Sequence, residues 1–114
     1  MKRLLAAALA LGMLTAPAYA QFVGPSVQGQ ASTVAEAQDV RAGSYVVVTG
    51  NIVAHQRSDY FTFRDDTGEI RAEIPSNVWQ GREVTPETTV RLLAEVDRGF
   101  AGRYLWVKSL EVVP

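Results

Sequence analysis

Apolar and polar residues alternate with a period of two in several short stretches of this chain, which is the pattern of half-buried β-strands. The first stretch, at about residues 45–54, places Val46, Val48 and Ile52 on one face. Gly50 takes the inward position between Val48 and Ile52, where a bulky side chain would otherwise stand. The alternation resumes in phase after this glycine, which favours one strand bent at Gly50 over two short strands separated by a break.

Four further strands are predicted at about residues 60–64, 69–74, 89–97 and 104–112. Residues 65–68, with the sequence Asp-Asp-Thr-Gly, form a hairpin turn signal between the second and third strands. Leu110 breaks the alternation of the last strand, which predicts a β-bulge near Lys108 and Ser109. The side chains expected to point into the core from these four strands are Phe61, Phe63, Ile70, Ala72, Ile74, Val90, Leu92, Ala94, Val96, Leu105 and Val107.

A short helix is predicted at residues 33–41, before the first strand. Thr33 and Glu36 have the spacing of a capping box. Val34, Ala37 and Val40 recur every three residues and form one apolar stripe. A helix this short is not stable alone, so we expect it to pack across one end of the sheet.

The segment at residues 76–84 connects the third and fourth strands. We expect Ser76 to cap one helical turn, Gly81 to end it and Trp79 to fill one mouth of a barrel. Five strands, one short N-terminal helix and this connector predict a mainly β fold for residues 32–114. The fold class is a five-stranded OB-fold barrel.

The first twenty residues have the features of a secretory signal peptide. Lys2 and Arg3 precede an apolar run at residues 4–14, and residues 18–20, Ala-Tyr-Ala, form a small-x-small cleavage site. A retained N-terminal anchor is the alternative, which the polar sequence from Gln21 onward disfavours. We therefore expect a periplasmic protein with a signal peptide at 1–20, a flexible leader at 21–31 and no membrane span in the mature form.

The charge balance argues against a polyanionic partner. Of the 11 lysines and arginines, removal of Lys2 and Arg3 leaves nine, against 12 aspartates and glutamates. A mildly acidic surface does not attract nucleic acid. The chain has no cysteine, which excludes thiol catalysis and thiolate metal sites.

Few side chains suggest catalysis. His55 is the only histidine, and a lone imidazole in a loop is more often solvated than functional. Asp65 and Asp66 have the place of turn residues, since the alternating ligands of a calcium loop are missing. We therefore expect no enzyme activity, no metal site and no cofactor.

Several segments resemble the bacterial OB-fold (BOF) family of small periplasmic proteins associated with stress tolerance. They are residues 33–34 (TV), 49–53 (TGNIV), 63–68 (FRDDTG), 77–81 (NVWQG), 85–86 (TP) and 95–97 (EVD). The resemblance spans nearly the whole mature chain and implies a periplasmic OB-fold without established catalysis. It also implies a binding module that helps cells survive chemical or envelope stress. The connector is shorter than the helix of a typical OB-fold, which fits this family and weakens the analogy to nucleic-acid binders.

The outward face of the predicted sheet combines aromatic, amide and guanidinium groups, which suit a sugar ring or base. The candidate ligand-binding residues are Tyr45, Thr49, Asn51, Arg57, Tyr60, Arg64, Arg71, Arg103, Tyr104 and Trp106. A solvated sheet stabilised by cross-strand pairs such as Arg64 with Glu69 is the alternative for the same pattern.

Three functions remain open at this point. The first is recognition of a small or oligomeric envelope ligand, such as a glycan fragment, by this face and the loops at residues 56–59 and 99–102, where Arg57 and Arg103 would meet acidic groups. The second is a protein partner that binds a strand edge without a small ligand. Single-stranded nucleic-acid binding is the third, and it rests on fold analogy alone.

Overall fold

The computed structural model describes residues 29–99 and 101–114. Within them the chain forms six strands and two helices of one turn each. In chain order these are β1 Gln30–Ala31, α1 Val34–Ala37, β2 Tyr45–Arg57, β3 Tyr60–Asp65, β4 Gly68–Glu73, α2 Ser76–Trp79, β5 Thr89–Gly99 and β6 Gly102–Val112.

Five of the strands close into a barrel. The sheet has the order β1-β2-β3-β4-β6-β5, and an additional pairing of β2 with β5 joins its ends. All neighbours in the barrel are antiparallel except β4 and β6, which run parallel through three residue pairs. Closure removes most of the free strand edges. The predicted mainly β, five-stranded OB-fold barrel is confirmed.

Strand β2 is one continuous strand through Gly50, as the sequence predicts, and the two halves of the barrel share it. Residues 45–51 pair with β5, and residues 51–57 pair with β3. At the change of partner, a Cβ on Gly50 would lie 2.3 Å from the carbonyl oxygen of Arg64 and 3.0 Å from the Phe63 ring. The backbone of β3 therefore approaches so closely that only glycine fits at position 50.

The interior of the barrel is apolar, and among the described residues no polar or charged side chain is buried. Every side chain predicted to face inward is buried except Phe61, which is partly buried at one end. In β6, Val107 pairs with Ala94 and Ser109 pairs with Leu93. Lys108 is thus the extra residue of the predicted bulge, which returns Leu110 to the core.

Helix α1 is shorter than the predicted span of residues 33–41. The capping box is present, because Glu36 N–H donates to the Thr33 hydroxyl and Thr33 N–H donates to the Glu36 carboxylate. After Ala37 the chain tightens into a turn, in which Gln38 N–H is shared between the carbonyls of Val34 and Ala35.

The β3–β4 turn holds the N-terminal end of α1. Val34 N–H donates to the Asp65 carboxylate at 2.8 Å, and Ala35 N–H donates to the Thr67 hydroxyl at 2.9 Å. These bonds satisfy two backbone donors that a helix leaves free at its start. A turn 31 to 32 residues later in the chain thus fixes the helix against one end of the barrel.

The connector forms α2, but its cap differs from the prediction. Pro75 is the N-cap, without a side-chain hydrogen bond, and Ser76 is already helical. The prediction that Ser76 caps this turn was wrong because proline, with extended backbone at φ −61°, sets the entry one residue earlier. Trp79 packs edge-on against Phe61 at 5.2 Å between ring centroids and covers this end of the core.

The last two residues of the predicted leader are in the sheet. Gln30 pairs with Val46 and Ala31 with Val47, in parallel. A Cβ at Gly29 would lie 2.6 Å from the carbonyl carbon of Val46, so the chain enters the sheet at a close approach to β2. The predicted signal peptide and the leader up to residue 28 lie outside the described residues. In the part of the chain that the structure describes, no helix is long and apolar enough to cross a membrane.

Candidate functional site

Strand pairing arranges the outward side chains of β5, β6, β4 and β3 in two rows. One row runs Asp97, Tyr104, Arg71, Thr62, and the next runs Glu95, Trp106, Glu73, Tyr60. We call this surface the outer face, and its three aromatic residues, Tyr60, Tyr104 and Trp106, the aromatic strip. In OB-folds the face of the second and third barrel strands, here β3 and β4, is the usual ligand surface.

The aromatic strip is partly open to solvent, with Trp106 exposed and Tyr60 and Tyr104 half-buried. Trp106 is 38% exposed, and the rings of Tyr60 and Tyr104 meet edge-on at 6.5 Å. The Lys108 ammonium lies 3.3 Å from the centroid of the Trp106 ring, and the Arg71 guanidinium lies 5.5 Å from that of Tyr60. Both are cation–π contacts, which shows that these rings attract positive charge.

Carboxylates surround Tyr104 and Trp106. Burial raises the pKa of the Tyr104 phenol, and the negative charges of Asp97 and Glu73, together with Tyr60 and Glu95, raise it further. Lys108 offsets one of these charges, with its ammonium 3.9 Å from the Glu95 carboxylate. This end of the outer face is therefore acidic.

A basic hollow adjoins the aromatic strip at the β2–β3 turn. Its lining is Gln56, Arg57, Tyr60 and Arg71, and its volume is about 150 Å³. Gln56 donates through its amide to the Thr62 hydroxyl at 3.0 Å, which fixes the side of the hollow. Two guanidinium groups around one small hollow suit a carboxylate or a set of hydroxyl groups.

The structure therefore brings together five of the ten candidate residues: Arg57, Tyr60, Arg71, Tyr104 and Trp106. Two more lie in other grooves. Tyr45 lines a groove of about 370 Å³ beside α1, together with Glu36 and Asp39. Thr49 lines one of about 440 Å³ beside the β3–β4 turn.

The other three candidates hold the fold together. The Asn51 amide donates to the carbonyls of Pro86 and Thr88 at 3.0 and 3.1 Å and fixes the loop before β5. Arg64 pairs with Glu69 across the hairpin, as the solvated-sheet alternative proposed. The Arg103 guanidinium donates to the carbonyls of Ala37 and Val40 at the end of α1, away from the aromatic strip.

Asp65 and His55 have structural contacts. One oxygen of Asp65 accepts from the Thr67 N–H and hydroxyl, and the other accepts from Val34 N–H. Burial pushes the pKa of Asp65 up, but these bonds, with one from Gly68 N–H, outweigh it and hold the pKa below 3.8. The turn interpretation of Asp65 therefore fits the structure.

His55 is exposed and stacks on Phe61 at 4.5 Å between centroids. Its Nε2 lies 2.7 Å from the Ser58 carbonyl oxygen, which assigns the proton to Nε2. Across residues 29–99 and 101–114, no group of three or more His, Asp or Glu side chains has the geometry of a metal site.

Sequence reasoning missed Glu95 and Asp97 as parts of the candidate site. Their outward position follows from the alternation of the fourth predicted strand. Their place beside Trp106 and Tyr104 requires the β5–β6 register, which runs without a shift from the Gly99–Gly102 pair to the Ala94–Val107 pair.

The chain matches known proteins along most of its length. Residues 14–112 match the sequence profile of the family described as "Bacterial OB fold (BOF) protein". The calcium-regulated OB-fold protein CarO of Pseudomonas aeruginosa is 34% identical over 94 residues, which are 82% of this chain and 81% of CarO. Protein YgiW of Escherichia coli is 30% identical over 128 residues, covering 99% of this chain and 98% of YgiW.

Solved structures share the fold. The structure of YgiW from E. coli has a TM-score of 0.72 and 36% identity, and the match covers 81% of this chain and 97% of that one. The telomere capping protein Ten1 from Saccharomyces pombe has a TM-score of 0.60 at 8% identity over 75% of this chain and 81% of Ten1, which shows the fold alone. Sequence profile, relatives and fold agree: this chain belongs to the bacterial OB-fold (BOF) family, a family of binding modules rather than a known enzyme family.

Proposed function

We propose that this protein is a periplasmic binding module associated with stress tolerance, and that it recognises a glycan fragment of the cell envelope on its outer face. The observation that carries the proposal is the partly exposed aromatic strip beside the basic hollow. Aromatic rings stack on the apolar faces of sugars, while guanidinium and amide groups bond to their hydroxyl groups. The strip also lies on the face and near the loops that OB-folds use for oligosaccharides.

The proposed periplasmic location is supported by the amino-acid sequence. A basic start, an apolar run and a small-x-small site at residues 18–20 support export through a signal peptide. A domain in the periplasm meets envelope glycans continuously, whereas nucleic acid is scarce there. The carboxylates of Glu73, Glu95 and Asp97 further oppose a polyanion on this face.

An NMR titration with soluble peptidoglycan fragments tests the proposal. We expect backbone amide shifts at Tyr60, Arg71, Tyr104 and Trp106, with little change outside the two rows, such as at Arg91, which lines the groove beside the β3–β4 turn. Shifts scattered over the barrel, or none at millimolar fragment, would contradict a glycan site on this face.

A second candidate function is docking of a partner protein strand. The observation that favours it is β1, which pairs with β2 through only two residue pairs and shows that this part of β2 accepts a parallel strand. A pull-down from periplasmic extract with wild type and Ala31→Pro tests this candidate. A partner captured without glycan and lost in the variant would favour strand docking, and equal capture by both would reject it.

A further inference from the structure

We propose that the outer face selects glycan fragments that carry both a free amine and a carboxylate, in one orientation. The carboxylate binds at the basic hollow and the amine binds near β5. This inference rests on the proposed function, because it names the ligand class of the same site.

Among the described residues, no acidic side chain pairs with the basic end. Arg57 is exposed, and neither Arg57 nor Arg71 makes an ion pair within 4.0 Å among the residues that the structure places. Arg71 instead leans over the Tyr60 ring, which holds its guanidinium at the rim of the hollow. A carboxylate on a ligand would supply the missing partner with charge-assisted hydrogen bonds.

The acidic end lies across the aromatic strip. Asp97 pairs with Tyr104 and Glu95 pairs with Trp106 in the β5–β6 ladder, and both side chains are half-buried. Glu95 has the Lys108 ammonium at 3.9 Å, while Asp97 has no ion pair with any described residue. Glu73 lies on β4 between Trp106 and Tyr60, so it adds a third negative charge closer to the basic hollow. The charges of these carboxylates converge on the Tyr104 hydroxyl. An ammonium group placed there would be attracted by two or three carboxylates together.

The protein itself contains an example of this recognition. The Lys108 ammonium sits over the Trp106 ring and beside Glu95. Aromatic face plus carboxylate is a favourable environment for an alkylammonium ion. The acidic end therefore already binds one amine from its own chain, and its remaining carboxylates can bind another.

The distance between the basic and acidic ends limits how far apart the amine and the carboxylate of the ligand can lie. Asp97 on β5 and Arg71 on β4 flank Tyr104 on β6, so two strand spacings, about 10 Å, separate their backbones. A fragment with one amine and one carboxylate at a comparable separation meets favourable charge at both ends. The reversed orientation places like charges together, and a polyanion meets repulsion at β5, which is how such a face discriminates.

Three matched probes test the inference by isothermal titration calorimetry. They are a disaccharide–tripeptide fragment of peptidoglycan that ends in diaminopimelate with a free amine, the same fragment N-acetylated, and the same fragment with its carboxylates amidated. We expect each modification to weaken binding about fivefold, the effect of one exposed ion pair.

Charge-neutralising variants assign each effect to one end of the face. The double variant Glu95→Gln/Asp97→Asn should bind the parent and N-acetylated fragments equally, and the double variant Arg57→Gln/Arg71→Gln should bind the parent and amidated fragments equally. Glu87→Gln, an exposed carboxylate in the turn before β5, is the matched control and should discriminate as wild type does.

The outcomes separate this inference from the proposed function. Equal binding of all three probes by wild type, or discrimination that persists in both charge variants, would overturn the selection of a zwitterionic ligand and leave glycan binding intact. Failure of all three probes to bind would overturn the proposed function itself.

Discussion

Two residues of this protein have roles set by atoms far away in the sequence. Gly50 is required by the carbonyl of Arg64, and Asp65 links the hairpin turn to the start of α1. In each case a contact between two elements determines the residue type. A substitution would therefore disturb both of the elements in contact. The sequence predicts the importance of Gly50 through its inward position, but the reason is close backbone approach rather than a special φ angle.

We expect Gly50→Val to lower the free energy of unfolding by about 3 kcal/mol, because a side chain at this site must displace the backbone of β3. A fall in Tm of more than about 10 °C in thermal denaturation would accompany it. Thr49→Val, an exposed neighbour on the same strand, is the control and should change Tm little. Equal Tm values for the two variants would contradict the close approach.

Asp65→Asn should lower the free energy of unfolding by about 1 kcal/mol at neutral pH, the effect of weakening hydrogen bonds to an ionised group near the surface. The pKa of Asp65 is lower in the folded protein than its ordinary value of 3.8, so the carboxylate stabilises the fold above pH 3.8. That contribution is lost as the pH falls through the lowered pKa of the folded state.

Urea denaturation of wild type and Asp65→Asn at several pH values checks the sign. The difference in stability between them should be constant above about pH 5 and should narrow below pH 3.8. Asp66→Asn, exposed in the same turn, serves as the control. If the difference in stability between wild type and Asp65→Asn instead widens at acid pH, the pKa of Asp65 is raised in the folded protein.

At the scale of elements, α1 is held by other parts of the chain rather than by its own length. Four residues form it, Asp65 and Thr67 bind its N-terminal end, and Arg103 binds its C-terminal end. The charge of Arg103 also suits the negative end of a helix dipole, a minor effect for one turn. The stability of α1 therefore depends on the folding of this end of the barrel.

Arg103→Met separates a structural role from a role in ligand binding. Loss of the bonds to the Ala37 and Val40 carbonyls should lower the free energy of unfolding by about 1–2 kcal/mol. Glycan affinity, measured by the same titration as for wild type, should be unchanged. A variant with normal stability and weakened glycan binding would return Arg103 to the ligand site.

Elements with a clear period were predictable, and those defined by long-range partners were not. The alternation placed the inward residues of β2 to β6 and the bulge in β6, because burial of one face forces that pattern. The strand β1 has two residues and no periodicity, so its pairing with β2 left no signal in the sequence. Asn51 and Arg103 looked like surface ligands for the same reason, since their partners Thr88 and Val40 are 37 and 63 residues away. The partner of Arg64 is Glu69, five residues away across the hairpin, and the sequence offered this pair as the alternative.

At the scale of the whole molecule, the outer face depends on the closed barrel. Its two rows draw side chains from two separate hairpins, β3–β4 and β5–β6, and these hairpins meet where β4 pairs with β6 in the closed barrel. This explains why half of the candidate residues converge: outward residues of β3, β4 and β6 become neighbours. The candidate residues Tyr45 and Thr49, on the first half of β2, line other grooves of the barrel.

Trp106→Ala tests the outer face as a unit. Trp106 is 38% exposed, so its loss should change Tm little while it weakens glycan binding by about tenfold, the effect of one aromatic stacking contact. Val112→Ala is the matched control, because Val112 is 40% exposed on the same strand and lies outside the two rows. Unchanged glycan affinity in Trp106→Ala would remove the aromatic strip from the site.

The parallel contact between β4 and β6 has one further consequence. It consists of three residue pairs, Arg71 with Tyr104, Ala72 with Leu105 and Glu73 with Trp106, and it is the shortest ladder in the barrel. A molecule bound across these two strands would oppose their separation, so occupancy should slow hydrogen–deuterium exchange of the Ala72 and Leu105 amides. Ligand binding would then stabilise the strand pairing of the barrel that contains the fewest residue pairs.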